Sequence, residues 1–146
     1  MPDIVLAVDP GGTTGWVVWG SGAIEQQGQS DYDAFCTLVD GLFARCIDEG
    51  RPTHIIVEAY DITGETLRKS RQYEALYLIG VLKYIAHREG VELIISQRSN
   101  KAFSTDDRLD AAHWLSRPKH ELRHQNDAKR HLLTWLVRTK RMEVPR

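Results

Sequence analysis

The chain begins with an unbroken apolar run, Ile4 to Val8, that stops at Asp9. A short run without polar alternation reads as a strand buried on both faces. Pro10, Gly11 and Gly12 then form a tight turn. A second strand is expected from Gly15 to Trp19 and a third from Ala23 to Gln27, joined by the hairpin turn Gly20-Ser21-Gly22. Ser30 with Asp33 has the form of a capping box. Phe35, Leu38, Val39, Leu42, Phe43 and Cys46 follow at i, i+3, i+4, i+7 spacing and predict an amphipathic helix. Gly50 and Pro52 end it. A fourth strand covers His54 to Val57, with Glu58 at its end.

A polar, basic stretch, Thr63 to Gln72, precedes a long helix expected over about Gln72 to Arg88 and closed by Gly90. Its middle, Leu76 to Leu82, is apolar all round. Such a helix is either sandwiched within the fold or meets another subunit, and Gly80 suits close packing in either case. Val91 to Ile95 forms a fifth strand. Ser104 or Thr105 caps a short helix through Leu115, ended by Pro118. A last helix from near His124 to Arg138 turns Leu132, Leu133 and Leu136 inward. The order β-β-β-α-β-α-β-α-α predicts one α/β domain over residues 1–146 with a mixed five-stranded sheet and helices on both faces.

Composition agrees with this picture. At 42% hydrophobic and 27% charged residues, the chain matches an ordinary globular protein and excludes a disordered one. No apolar run reaches the ~18 residues of a membrane span. The start lacks the basic region and cleavage site of a signal peptide, so a cytoplasmic protein is expected. Cys36 and Cys46 are expected in one helix, roughly 15 Å apart, as buried reduced thiols. The net charge of −1 conceals an asymmetry. Residues 1–67 sum to −9, residues 68–97 to +2 and residues 98–146 to +6, the last with four of the six histidines. An acidic front and a basic back suit a polyanion held beside carboxylates.

Three acids fall on element termini: Asp9 after strand one, Glu58 after strand four and Asp127 in the first turn of the last helix. Each alone has a plain structural explanation as a turn residue, a solvated strand end or a helix-terminal charge. If strands one and four are neighbours, Asp9 and Glu58 share the crevice in which α/β sheets place their sites. His124 and Asp127, three apart, share a helical face. Carboxylates so clustered need a cation. Oxygen donors with one imidazole suit Mg²⁺, with Mn²⁺ able to substitute, and two such ions hydrolyse phosphodiesters.

On the segments Ile4-Val-Leu-Ala-Val-Asp-Pro-Gly-Gly-Thr-Thr-Gly15, Ile55-Ile-Val-Glu58 and His124-Gln-Asn-Asp-Ala128, the chain resembles the RuvC family of Holliday-junction resolvases, in a short form of the kind bacteriophages carry. The resemblance implies a ribonuclease H-like fold, antiparallel over strands 1-2-3 and parallel over strands 1-4-5. It implies catalytic, metal-binding roles for Asp9, Glu58, His124 and Asp127. It also implies DNA contacts from Arg68, Lys69 and Arg71 before the long helix and from Arg98 and Lys101 after strand five, and a homodimer through the helix around residues 72–88. Hydrolysis of branched DNA follows from the same likeness.

The sequence departs from the family after the second acid. Tyr60 and Asp61 stand where an aromatic stacks on junction bases. The segment between Lys101 and His124 matches poorly, which leaves Arg108 as a weak counterpart of a second family lysine. Asp61, Asp110, His120 and His131 are alternative ligands, His131 also as a group orienting Asp127. Two rival functions share the core: a ribosomal-RNA-processing nuclease and a non-catalytic nucleic-acid-binding relative. The phosphate loop of two-domain ATPases also resembles residues 9–15, but one domain cannot form their nucleotide cleft.

Overall fold

The structure is a computed structural model that describes residues 2–60 and 73–146. Five strands form one sheet in the order β3-β2-β1-β4-β5: β1 (Ile4–Asp9), β2 (Thr14–Gly20), β3 (Ala23–Ser30), β4 (His54–Glu58) and β5 (Glu92–Ser96). β1 pairs antiparallel with β2, and β2 with β3; β1 pairs parallel with β4, and β4 with β5. Among the described residues the α-helices are α1 (Tyr32–Ala44), α2 (Tyr73–Glu89), α3 (Asp106–Ala111) and α4 (Arg123–Arg138). The parallel pairs need crossovers, which α1 and α2 supply.

Strand alternation divides the core into two layers. Ile4, Leu6, Val8, Ile55 and Val57 face α1 and α2, meeting Phe35, Val39, Leu42, Leu78, Leu82 and Ile85. Val5, Ala7, Val17, Trp19 and Ile56 face the other way, onto Leu109, Ala128, Leu132, Leu133 and Leu136 of α3 and α4. Both faces of β1 and β4 are therefore covered, which is why their sequences are continuous apolar runs. Each face buries apolar area at a gain of about 25 cal/mol per Å². Among the described residues no helix is long and apolar enough to cross a membrane.

Several local expectations change. Ser30 does not cap α1, because it stays in β3 and its hydroxyl accepts the Trp16 indole N–H at 3.2 Å. Asp31 is the cap, accepting the Ala34 amide at 2.8 Å. Cys46 lies outside α1. The Glu49 carboxylate takes the Cys46 amide at 3.1 Å and starts a separate 3-10 turn, Ile47–Glu49. The two cysteines therefore do not share a helix, and Cys46 is exposed. β3 runs on to Ser30. α3 is capped by Thr105 and ends at Ala111, well short of Leu115, because His113 turns the chain at φ +59°.

The apolar middle of α2 is half covered. Ala75, Leu78, Leu82, Ile85 and Ala86 are buried on the sheet, while Tyr73, Tyr77 and Tyr84 are 50, 61 and 63% exposed.

Candidate active site

Asp9 and Glu58 close adjacent parallel strands, so their side chains emerge at one edge of the sheet. The start of α4 is drawn to the same edge by two features. Gly15, the register partner of Asp9, lets the helix backbone approach so closely that a Cβ there would lie 2.0 Å from the His124 carbonyl carbon and oxygen. Gln29 in β3 supplies the second: its Oε1 accepts the amides of His124 and Gln125 at 3.0 and 3.2 Å, and its Nε2 donates to the Glu121 carbonyl at 2.8 Å. A strand side chain thereby caps a helix whose own N-cap residue, Leu122, provides none.

His124 Nδ1 lies 3.1 Å from Asp9 Oδ2. Arg123 Nε donates to His124 Nε2 at 3.3 Å, so the hydrogen facing Asp9 sits on Nδ1. Asp127, one turn on, faces Lys101 Nζ at 3.1 Å and Arg130 Nε at 3.3 Å. Arg130 also donates to the Ser104 carbonyl at 2.6 Å and pairs with Asp106. Glu58 is held by three cations or donors: Lys101 Nζ at 3.4 Å, Arg98 Nε at 3.4 Å and His131 Nε2 at 3.0 Å. The structure thus brings Asp9, Glu58, His124 and Asp127 together as expected. Arg98 is 82% exposed at the rim, and Lys101 is inside the site. Arg68, Lys69, Arg71 and Asp61 lie outside the described residues.

Burial raises the Asp9 carboxyl above its ordinary range, and the neighbouring Glu58 and Asp127 charges add to this against the opposing pull of His124. Burial would raise Glu58 too, but hydrogen bonding to His131 and the charge of Lys101 outweigh it and hold Glu58 down to about 2. Burial works against the Lys101 ammonium, yet Glu58 and Asp127 raise its pKa above the ordinary value. The site therefore sets a raised Asp9 carboxyl and a lowered Glu58 carboxyl around one half-buried ammonium.

The donor types here are those a hard divalent cation takes. Three carboxylates and an imidazole are oxygen-rich ligands, and a cation already stands among them in the form of the Lys101 ammonium. Among the described residues no three His, Cys, Asp or Glu side chains are gathered around one point; Lys101 contacts oxygens of Glu58 and Asp127, and His131 an oxygen of Glu58.

Other candidates fall elsewhere. Asp110 pairs with Arg117 at 3.2 Å on the surface, and His120 is exposed. Arg108 packs over the Phe103 ring at 4.2 Å and donates to the Phe103 carbonyl, so it is occupied structurally. Tyr60 is half-buried two residues past Glu58. His131 does not orient Asp127. It points to the sheet and contacts Glu58 and, at 2.6 Å, Ser96. Sequence reasoning also missed Gln29, Ser96, Asn100 and Arg130. The position of Ser96 at the end of β5, level with Glu58, is the one signal that could have found it.

No protein-family model and no curated protein matches the chain. Solved structures do. T. thermophilus RuvC in complex with a Holliday junction substrate superposes with a TM-score of 0.63 at 16% identity, covering 94% of this chain and 96% of that one. A second Thermus thermophilus RuvC structure gives 0.56 at the same identity and coverage. At that identity the likeness establishes architecture: the chain has the ribonuclease H-like fold of RuvC, with a mixed five-stranded sheet between helices.

Proposed function

We propose that the chain is a structure-selective DNA endonuclease that resolves Holliday junctions and related branched DNA by phosphodiester hydrolysis. One observation carries this reading: Asp9, Glu58, His124 and Asp127, from three separate elements, converge at one sheet edge in a RuvC-like fold. The solved relative of highest similarity quoted above is bound to a Holliday junction.

The residues divide the work. Asp9, Glu58, Asp127 and the His124 imidazole would hold Mg²⁺, or Mn²⁺ in its place. Two such ions make water a better nucleophile and stabilise the leaving oxygen. Lys101, between Glu58 and Asp127, has the charge and reach to contact the scissile phosphate, and Arg98 at the rim can take a neighbouring one. Gln29 and Gly15 keep His124 at Asp9. The exposed Tyr73, Tyr77 and Tyr84 stripe on α2 supports a homodimer, which would present two sites to a two-fold symmetric junction. Such an enzyme works on DNA in the cytoplasm.

The test is a panel of labelled four-way junctions, forks, flaps, linear duplex and structured RNA, each incubated with Mg²⁺, Mn²⁺ or Ca²⁺. Cleavage of four-way junctions with Mg²⁺ or Mn²⁺ and not with Ca²⁺ is expected. Preferential cutting of the RNA substrates would replace this reading with that of an RNA-processing nuclease. Binding without cleavage under every condition would make the chain a non-catalytic relative.

A further inference from the structure

Behind Glu58 lies a row of polar groups in which each hydrogen-bond direction is fixed by its neighbour. Arg138 Nη1, which can only donate, lies 2.7 Å from Asn100 Oδ1. That contact sets the orientation of the amide, so the group facing Ser96 Oγ at 3.1 Å is the Asn100 Nδ2 donor. The Asn100 carbonyl lies 2.9 Å from the Thr134 hydroxyl, which the Arg130 carbonyl shares at the same distance. Ser96 is buried, and its hydroxyl hydrogen needs an acceptor. Among the described residues that acceptor is His131 Nδ1, 2.6 Å away. The ring hydrogen must then be on Nε2, which faces Glu58 Oε2 at 3.0 Å. An Nε2 lone pair there would confront a carboxylate, so the far end of the row demands the same tautomer independently. His131 is fully buried and cannot swing out to water.

We infer that His131 is a positioning residue for Glu58, locked as the Nε2–H tautomer by the relay Arg138–Asn100–Ser96. The inference rests on the reading of Glu58 as a cation ligand and deepens it. Oε2 is committed to His131 and lies near Lys101, while Oε1 faces the exposed Arg98 at 3.4 Å. Glu58 is thus held in one rotation with Oε1 presented outward. His131 and His124 show opposite tautomers: one carries its hydrogen to Glu58 on Nε2, the other to Asp9 on Nδ1.

The test uses the full chain, ¹⁵N-labelled at histidine and free of metal, with His131 resonances assigned from a His131→Gln variant. Wild type should show a protonated Nε2 and an unprotonated Nδ1. Asn100→Asp places an acceptor against Ser96, turns its hydroxyl away and should put a hydrogen on Nδ1. A role in packing alone would not predict that change. Mn²⁺ binding, read by the electron-spin signal of free Mn²⁺, supplies a second measure. Gln at position 131 can keep an Nε2 donor toward Glu58, so His131→Gln should stay close to wild type. His131→Asn keeps only the Ser96 side and should bind about 10- to 100-fold more weakly.

A wild-type Nδ1–H tautomer, an unchanged tautomer in Asn100→Asp, or equal Mn²⁺ binding by the Gln and Asn variants overturns the relay. If wild type binds no Mn²⁺ but the tautomers behave as stated, the relay stands and the metal-dependent reading falls.

Discussion

Asp9 separates what the site costs the fold from what it gives to chemistry. Its carboxyl is raised by burial and by the charges of Glu58 and Asp127. An acid with a folded-state pKa above its unfolded value binds its proton more tightly when folded. Stability therefore falls as pH rises through the ordinary carboxylate range and stays lower at neutral pH. Asp9→Asn removes that charge and keeps an oxygen for the His124 hydrogen. In metal-free buffer at pH 7 its melting temperature should equal or exceed that of wild type. Single-turnover cleavage of a labelled junction should nevertheless drop on the order of a thousandfold, since several kcal/mol of charge stabilisation is lost. Full cleavage by the variant would remove Asp9 from the mechanism. Lys129 gives a second residue-level test. It is buried, its Nζ donates to the Trp114 carbonyl at 2.6 Å and to Ser116 Oγ at 2.5 Å, and burial lowers its pKa to about 8. Here the sign reverses: between pH 8 and 10.5 the unfolded chain holds more protons, so stability rises with pH. Urea melts should show wild type gaining on Lys129→Met across that window, by at most about 1.4 kcal/mol per pH unit. A pH-independent difference would mean that Lys129 is charged at no cost.

At the scale of elements, the site depends on how α4 docks on the sheet. Gly15→Ala would drive a methyl into the His124 backbone, and backbone on both sides cannot yield as a side chain does. A loss of about 3 kcal/mol is expected by chemical denaturation, together with loss of the His124–Asp9 contact seen as a shifted imidazole resonance. An unchanged midpoint would mean that α4 docks more loosely than the structure shows. This docking also explains what the sequence could tell in advance. Asp9 and Glu58 are legible because each ends a continuous apolar run, and such runs identify strands covered on both faces. His124 and Asp127 are legible from their spacing on an amphipathic helix with Leu132, Leu133 and Leu136 inward. The partner of His131 is not legible: i+4 spacing puts it near Asp127, but the rotation of α4 against β4 and β5 gives it to Glu58. Gln29 escapes for the same reason, because a helix capped from a strand about ninety-five residues away leaves no local signature. Ser30 and Cys46 depart from their local signals through competition, since the Trp16 indole takes the Ser30 hydroxyl and Glu49 takes the Cys46 amide.

For the whole molecule, charge and symmetry set the remaining expectations. The acids are gathered at the sheet edge and the basic residues concentrate in the second half of the chain, so binding to junction DNA should follow counterion release. Log affinity should fall linearly with log salt, losing on the order of a thousandfold between 50 and 200 mM if about six phosphates are contacted. Arg98→Ala should lower the slope by about one. A flat salt response would discount the basic surface. The α2 stripe raises the question of a partner. Tyr73, Tyr77, Gly80 and Tyr84 recur at i, i+4, i+7 and i+11, one side of a helix, and a Cβ at Gly80 would meet nothing within 4 Å. Three largely exposed tyrosines around a glycine form an aromatic surface of the composition found at the centre of interfaces, and Gly80 would let two copies of α2 approach closely. A stable dimer needs about 800 Å² from each copy, more than these residues alone, so α2 would be the centre of the contact. Sedimentation should find a dimer at micromolar concentration, and Tyr77→Asp, which buries a charge at that centre, should yield a monomer with an unchanged far-ultraviolet spectrum. A cruciform plasmid converts the difference into chemistry. Paired sites cut both strands in one encounter and release linear DNA, whereas a monomer nicks one strand and leaves open circles. A shift from linear to open-circle product in Tyr77→Asp, at an undiminished rate of first nicking, would tie paired cleavage to α2. A wild-type monomer that still gives linear product would show that two-fold pairing of sites is unnecessary and that α2 faces something else.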